Sequence, residues 1–196
     1  MLSVENLTIS FRTDEGLVTP VREVSFTVPH GKTLGLVGES GSGKSVSTRA
    51  IMRLLPGSAI IAPESRIGYV AKDGRDIDVT GLSNRSKALR RLRGGEIGMI
   101  FQEPMASFSP VYTIGNQMME AILLHRGVGR RQARELAVEM LDKVGISNPA
   151  ARVDQYPHEM SGGMRQRAMI ALALSAGPAL LIADEPTTAL DVTIQA

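Results

Sequence analysis

The chain lacks cysteine and tryptophan, and only 4% of its 196 residues are aromatic. The absence of cysteine excludes disulfides, thiolate metal sites and a cysteine nucleophile within these residues, and it favours a reducing compartment such as the cytoplasm. The shortage of aromatic rings leaves few platforms on which single-stranded nucleic acid could stack. Two runs of basic residues lie at residues 85–93 and 126–134. Because the net charge is only +2, we interpret both runs as solvated helix faces and expect no nucleic-acid partner.

Long apolar stretches are also missing. The longest, residues 169–176, is far shorter than the ~20 residues that a membrane-spanning helix needs. The first residues have neither the basic nor the apolar part of a secretory signal. We therefore expect any membrane association to go through a partner.

The sequence does contain a phosphate-binding loop. Residues 38–45 match the pattern G-x-x-x-x-G-K-[ST], which chance alone gives in about one in a hundred chains of this length. They follow an apolar run at residues 33–37, for which we predict a strand. The dinucleotide pattern G-x-G-x-x-G fails, because its third glycine position falls on Val46. The predicted nucleotide-binding residues here are Gly38, Glu39, Ser40, Gly41, Ser42, Gly43, Lys44, Ser45 and Val46.

Each residue type in this loop suits a nucleoside triphosphate. Glycines let the backbone turn its N–H groups inward as an anion nest. Lys44 can place a positive charge on the β and γ oxygens, which makes it a catalytic candidate as well. Ser45 can offer its hydroxyl to Mg²⁺, and the helix that begins near Gly43 adds its positive end. The sequence therefore predicts ATP and Mg²⁺ as cofactors.

Apolar periodicity predicts an α/β fold. Residues 2–11 and 21–28 alternate as an antiparallel strand pair. Further strand structure is predicted at residues 67–79, with a break at Asp73-Gly74, and at residues 98–101 and 180–183. Helices are predicted at residues 45–55, 113–126 and 130–144. We expect a single domain over 1–196 with a P-loop NTPase core, a mostly parallel sheet with flanking helices, and an N-terminal antiparallel β-subdomain. These parts would occupy residues 1–102 and 161–196, with a helical insertion at about 103–160.

Two acidic residues, Asp184 and Glu185, follow the apolar run 180–183. Such a run predicts a parallel strand that is buried on both faces, and ligands bind at the carboxyl ends of strands of this kind. We expect Asp184 to face the metal held by Ser45, and Glu185 to face the attacking water as the catalytic base.

A further candidate segment, Ser161-Gly162-Gly163, lies just before an apolar helix. Ser161 can cap that helix, and the two glycines leave its first backbone N–H groups bare, so that a γ-phosphate can bind there. An ordinary helix cap is the alternative interpretation.

The order of these motifs resembles that of ATP-binding-cassette ATPases along the whole chain. It runs from the phosphate loop through Gln102, the Ser161 segment and Asp184-Glu185 to residues 189–191. The resemblance implies that Gln102 is a catalytic residue that senses Mg²⁺ and water, and that Asp191 lies at the interface between two cassettes. It also implies that Phe11 stacks on adenine, with a core position as the alternative.

Residues 101–105, 161–167 and 184–195 resemble more narrowly the ATPase subunits of bacterial oligopeptide, dipeptide and nickel importers. The implied partners are a second ATPase subunit, either a copy or a sister chain, integral membrane permease subunits and, indirectly, an extracytoplasmic substrate-binding protein. The implied location is the cytoplasmic face of the bacterial inner membrane. Two alternatives stay open: a soluble cassette ATPase acting in DNA repair or translation, and a nucleotide-binding fragment without turnover.

Two features depart from the family pattern. Residue 164 is Met, where many cassettes have Gln. The sequence ends at Ala196, before the switch histidine of the family, and we interpret His30, His125 and His158 as surface or structural residues. We therefore expect a truncated cassette that binds ATP but turns it over poorly.

Overall fold

The computed structural model describes residues 1–102 and 108–185 of the chain. The chain divides into two compact units, Met1–Arg90 and Arg91–Ala196. The helical insertion expected at about 103–160 stays a prediction.

An antiparallel sheet forms the larger part of the first unit. Its strands are β1 (Leu2–Thr13), β2 (Gly16–Val28), β3 (Ala59–Ile61), β4 (Arg66–Val70) and β5 (Asp76–Asp78). β1 and β2 form a hairpin, the sheet order is β2-β1-β4-β5, and β3 also pairs with β1. The predicted antiparallel pair is confirmed. The strand structure predicted over 67–79, with a break at Asp73-Gly74, is a hairpin of β4 and β5, and the chain turns at Gly74, where φ is 81°.

β1 changes phase along its length. Leu2 and Val4 are followed, after two polar residues, by Leu7 and Ile9, so strict alternation is interrupted. Asn6 adopts a φ of 49°, which asparagine tolerates, and the register with β2 shifts between Val4 and Leu7. This bulge returns Leu7 and Ile9 to the core side, where both are 0% exposed.

The first unit also contains helix α1 (Lys44–Ile51), which begins where the sequence predicts. It ends four residues before the predicted end at 55, because Arg53 adopts a φ of 54°. The strand predicted at residues 33–37 is wrong: no strand forms there, and Val37 is 98% exposed. A parallel strand needs neighbours from distant parts of the chain, and no strand of the described residues pairs with this segment.

The second unit contains a parallel strand pair, β6 (Ile97–Ile100) and β7 (Leu180–Ala183). Ile97 pairs with Leu180, and Ile100 pairs with Ala183. All four residues of β6 are buried, but Leu181 of β7 is 40% exposed. The expected burial of β7 on both faces is therefore wrong, since Leu181 and Ala183 are exposed and Ile182 between them is buried.

Helices pack around one apolar core in this unit. Following the short α2 (Lys87–Arg91) at the unit boundary, they are α3 (Ile114–Arg126), α4 (Arg130–Lys143), α5 (Pro149–Arg152) and α6 (Gly162–Ser175). The helices predicted over 113–126 and 130–144 are confirmed. Ala133, Ala137 and Leu141 lie on one face of α4 and are 0% exposed, as are Met118 and Ile122 of α3. No helix within residues 1–102 or 108–185 is long and apolar enough to cross a bilayer.

Candidate functional site

Gly43 fixes the start of α1 and thereby the end of the phosphate loop. It is the N-cap of the helix, with a φ of 88°. A Cβ atom on Gly43 would lie 2.7 Å from the carbonyl oxygen of Pro20 and 2.9 Å from Cγ2 of Val21. Only glycine avoids both the strained φ and the collision with β2. The contact with Pro20 and Val21 has no signal in the sequence, because it joins residues more than twenty positions apart.

Lys44 closes the loop by binding its first two carbonyl groups. The Lys44 ammonium donates to the carbonyl oxygen of Gly38 at 2.6 Å and to that of Glu39 at 2.8 Å. The backbone N–H of Ser42 donates to the Glu39 carbonyl at 3.2 Å. Because a Cβ on Gly38 would come within 2.7 Å of the Ser42 hydroxyl oxygen, the curve is too tight for a side chain there. Residues 38–42 are exposed, so the cradle is open to an incoming anion.

The first turn of α1 is anchored by a residue that the sequence did not single out. Ser47 is buried, and its hydroxyl donates to the Gly43 carbonyl at 2.9 Å. Ser45 and Val46 are half-buried in the same turn. The hydroxyl of Ser45 therefore belongs to a rigid helix start directly after the cradle.

Phe11 lies on β1, opposite Val18 of β2 and Ala59 of β3. It is half-buried, unlike the fully buried Leu7 and Ile9 further back on the strand. This position leaves part of the ring accessible, which is compatible with both interpretations made from the sequence.

The other candidate catalytic residues lie at the carboxyl ends of β6 and β7. Gln102 and Glu185 each lie two residues beyond the paired Ile100 and Ala183, and Gln102 Nε2 donates to Glu185 Oε2 at 2.7 Å. Asp184, the residue before Glu185, is buried with 6% of its surface exposed, and its backbone N–H donates to the Ile100 carbonyl at 3.0 Å. Two carboxylates and an amide therefore lie at the carboxyl ends of β6 and β7. The carboxylate of Asp184 is buried, and that of Glu185 is exposed.

Ser161 caps α6, as the sequence predicts. Its side-chain oxygen accepts a hydrogen bond from the backbone N–H of Met164 at 3.3 Å. A Cβ added to Gly162 or Gly163 would meet no atom within 4 Å, so the space above the helix start is open. The first turn of α6 contains no acidic residue that would compete with an anion for its N–H groups.

The structure therefore brings Gln102 and Glu185 into contact, with Asp184 beside them. The phosphate loop and Phe11 belong to the first compact unit, whereas Ser161 and the strand-end residues belong to the second. Asp191 lies outside the described residues.

His125 and His158 pack against neighbouring residues, whereas His30 is exposed. A Cβ on Gly95 would lie 2.8 Å from Nδ1 of His125, so this imidazole packs on the glycine backbone before β6. The ring of His158 stacks on Tyr156, with centroids 5.5 Å apart. Within residues 1–102 and 108–185, no group of three or more His, Cys, Asp or Glu side chains is arranged to hold a metal ion.

Comparison with known proteins identifies relatives that align with the whole chain. A protein of Brucella abortus (strain 2308), named for peptide import and ATP binding, is 53% identical over 196 residues. A protein of the same description from Brucella ovis is 52% identical over 196 residues. Each alignment covers 100% of this chain, and the chain spans 57% of the length of each relative.

Two solved structures share the fold of this chain. The ATP-binding cassette MJ0796, in a dimeric post-hydrolysis state bound to ADP and Pi, superposes with a TM-score of 0.83 at 26% identity. The match covers 99% of this chain and 78% of that one. A second dimeric structure of MJ0796, described as a bacterial ABC transporter cassette, gives a TM-score of 0.84 over 100% of this chain. The predicted P-loop NTPase fold is confirmed.

A family model described as ABC transporter matches residues 21–188, which include the phosphate loop, Gln102, the Ser161 segment and Asp184-Glu185. The resemblance drawn from the sequence motifs is therefore confirmed, and the chain belongs to the ABC transporter family.

Proposed function

We propose that this chain binds ATP with Mg²⁺ and that the whole protein hydrolyses ATP to power the import of peptides. The observation that carries the proposal is the closed phosphate loop, in which Lys44 holds the Gly38 and Glu39 carbonyls and α1 begins at Gly43. A glycine-rich loop that presents backbone N–H groups and a lysine at a helix N-terminus is a site for polyphosphate.

The residues present suit a magnesium ion. Mg²⁺ prefers oxygen ligands, and Ser45, Gln102 and Asp184 supply a hydroxyl, an amide carbonyl and a carboxylate. When bound, Mg²⁺ would neutralise charge that develops on the phosphate oxygens.

Glu185 is the proposed general base. Its carboxylate is exposed beside the buried Asp184, so it can reach a water molecule and accept its proton. Lys44 stabilises negative charge on the transferred phosphoryl group. Phosphoryl transfer needs little covalent chemistry from the protein, and these side chains therefore act by position and charge.

The partners follow from the relatives. MJ0796 was solved as a dimer, and the Brucella proteins are named for import. We infer a second ATPase subunit, whose Ser161 segment would meet the γ-phosphate held by this chain, with Phe11 against adenine and Asp191 at the interface. Integral membrane permease subunits at the cytoplasmic face of the inner membrane and, indirectly, an extracytoplasmic substrate-binding protein complete the assembly. Peptides are the proposed cargo, because the Brucella relatives are named for peptide import.

The test separates binding from turnover with Glu185→Gln. The amide of Gln cannot accept the proton from water, but its oxygen can still accept the hydrogen bond from Gln102. We therefore expect ATP affinity close to that of the parent by calorimetry, and phosphate release on the order of 10²-fold slower in the full-length protein. Glu64→Gln, an exposed carboxylate in the first unit, is the matched control and should leave both quantities unchanged. Hydrolysis at the parent rate in Glu185→Gln would remove Glu185 from the catalytic role.

A further inference from the structure

The side chains of Gln102 and Glu185 bind each other. Both residues lie two positions beyond a paired residue of the parallel ladder, Ile100 and Ala183, so the register alone places them side by side. The 2.7 Å separation of Gln102 Nε2 and Glu185 Oε2 is the length of a charge-assisted hydrogen bond.

The backbone of Glu185 is strained while it makes this contact. Its φ is 49°, in the left-handed region, which costs a non-glycine residue free energy that the surroundings must offset. Asp184, one residue earlier, is fixed to β6 through its N–H bond to the Ile100 carbonyl. When its side chain is released from Gln102, Glu185 can leave this strained backbone conformation while Asp184 stays fixed to β6.

We propose that the Gln102–Glu185 hydrogen bond is a latch that holds the nucleotide-free site inactive. The proposal rests on the proposed function, because it assigns regulation to the same two residues. While the latch is closed, the Gln102 amide binds Glu185 and not a metal ion. The Glu185 oxygen Oε2 already accepts a hydrogen bond from this amide, so it cannot accept the proton of a water molecule. Nucleotide and metal must break this bond before either residue can act.

The latch has a thermodynamic consequence. The closed state competes with the nucleotide-bound state. Breaking the hydrogen bond therefore costs free energy, and this cost weakens the observed binding of nucleotide and metal. Removing the acceptor side chain, as in Glu185→Ala, should then tighten binding of metal and nucleotide, and only when Gln102 is present. Since both side chains are exposed, the expected gain is modest, about threefold to tenfold.

The first experiment reads the contact without nucleotide. The chain is labelled with ¹⁵N-glutamine, and the Gln102 side-chain amide resonance is recorded in the parent, in Glu185→Ala and in the control Glu64→Ala. We expect the resonance to move in Glu185→Ala and to stay in place in Glu64→Ala. Urea unfolding of Gln102→Ala, Glu185→Ala and the double variant should show coupling between the two residues. An unmoved resonance together with additive unfolding would overturn the latch.

The second experiment measures the affinity for Mg²⁺ with ATPγS, which is hydrolysed slowly. Glu185→Ala should bind this ligand about threefold to tenfold more tightly than the parent, and the same substitution made in Gln102→Ala should change affinity less than twofold. Equal tightening in both backgrounds, or no tightening in either, would overturn the proposal. If the parent itself fails to bind Mg²⁺ with ATPγS, the proposed function fails, while the first experiment still decides whether the contact exists.

Discussion

Lys44 and Gly38 are joined across the phosphate loop, with the ammonium nitrogen 2.6 Å from the Gly38 carbonyl oxygen. This bond places the positive charge of Lys44 beside the backbone of the phosphate loop. The side chain therefore shapes the loop and supplies a cation for the phosphates.

Lys44→Ala is expected to weaken ATP binding by about tenfold to a hundredfold, because hydrogen bonds to charged groups contribute about 1.5–3 kcal/mol. Calorimetric titration with ATP measures the change. Lys32→Ala removes an exposed lysine that lies outside the motif and should leave affinity unchanged. Equal affinities of Lys44→Ala and the parent would contradict the assignment of the loop.

Gly43→Ala should destabilise the folded chain more than Gly41→Ala. Both glycines have positive φ, 88° and 80°, so both substitutions carry a similar backbone cost of about 1–2 kcal/mol. The Cβ at position 43 also collides with Pro20, whereas the Cβ at position 41 meets nothing within 4 Å. Urea unfolding without nucleotide should show an additional loss of about 1–3 kcal/mol for Gly43→Ala. Equal losses of unfolding free energy in the two variants would show that the close contact between Gly43 and β2 does not restrict the residue at position 43.

Ser161→Arg tests the site shared by two chains. Its bulky cation would fill the open space above Gly162 and Gly163, while the phosphate loop of the same chain is untouched. We expect unchanged ATP affinity and loss of the ATP-dependent dimer in size-exclusion chromatography.

Two further variants interpret that result. Ser161→Ala removes only the cap, at about 1 kcal/mol of stability, and should still dimerise. Mixing Ser161→Arg with Lys44→Ala subunits should restore one complete site for each pair, if the chain pairs with itself. A Ser161→Arg chain that closes on ATP as readily as the parent would leave this segment as an ordinary helix cap.

The Arg134–Asp154 pair makes a small, pH-dependent contribution to stability. Two hydrogen bonds of 2.8 and 2.7 Å join the guanidinium to the carboxylate, and they lower the pKa of Asp154 below its ordinary value. A carboxyl group with a lowered pKa stabilises the fold above its unfolded pKa of about 3.9, and this contribution is lost as the pH falls through the folded pKa.

Asp154→Asn should therefore reduce the free energy of unfolding by up to about 1 kcal/mol at pH 7, because both side chains are largely exposed. The difference from the parent should shrink when unfolding is repeated near pH 3. Glu64→Gln removes an exposed carboxylate outside this ion pair, and serves as a control for the loss of a surface carboxylate. A gap that stays constant with pH would exclude the ion pair as its cause.

The sequence predicted those parts of the molecule that local patterns determine. The β1–β2 pair, the helix start at Gly43 and the Ser161 cap each follow from residues close together in the chain. The predicted helices α3 and α4 follow from apolar spacing, which is set by the helical period.

Features that depend on distant residues were not predictable in the same way. Alternation gives no warning of the bulge at Asn6, and no motif connects Gly43 with Pro20. The contact between Gln102 and Glu185 needs the register of β6 against β7, which neither strand contains by itself. The apolar run at 33–37 was assigned from composition, although a strand exists only when another strand accepts its hydrogen bonds.

That run has a practical consequence for work with this chain. Leu34, Leu36 and Val37 expose apolar side chains, and no strand of the described residues covers their backbone. A segment of this kind can accept a strand from another molecule, so self-association should rise with protein concentration. Dilute samples, or a short extended peptide that occupies the segment, would keep the chain monomeric, and light scattering over a dilution series would reveal the difference.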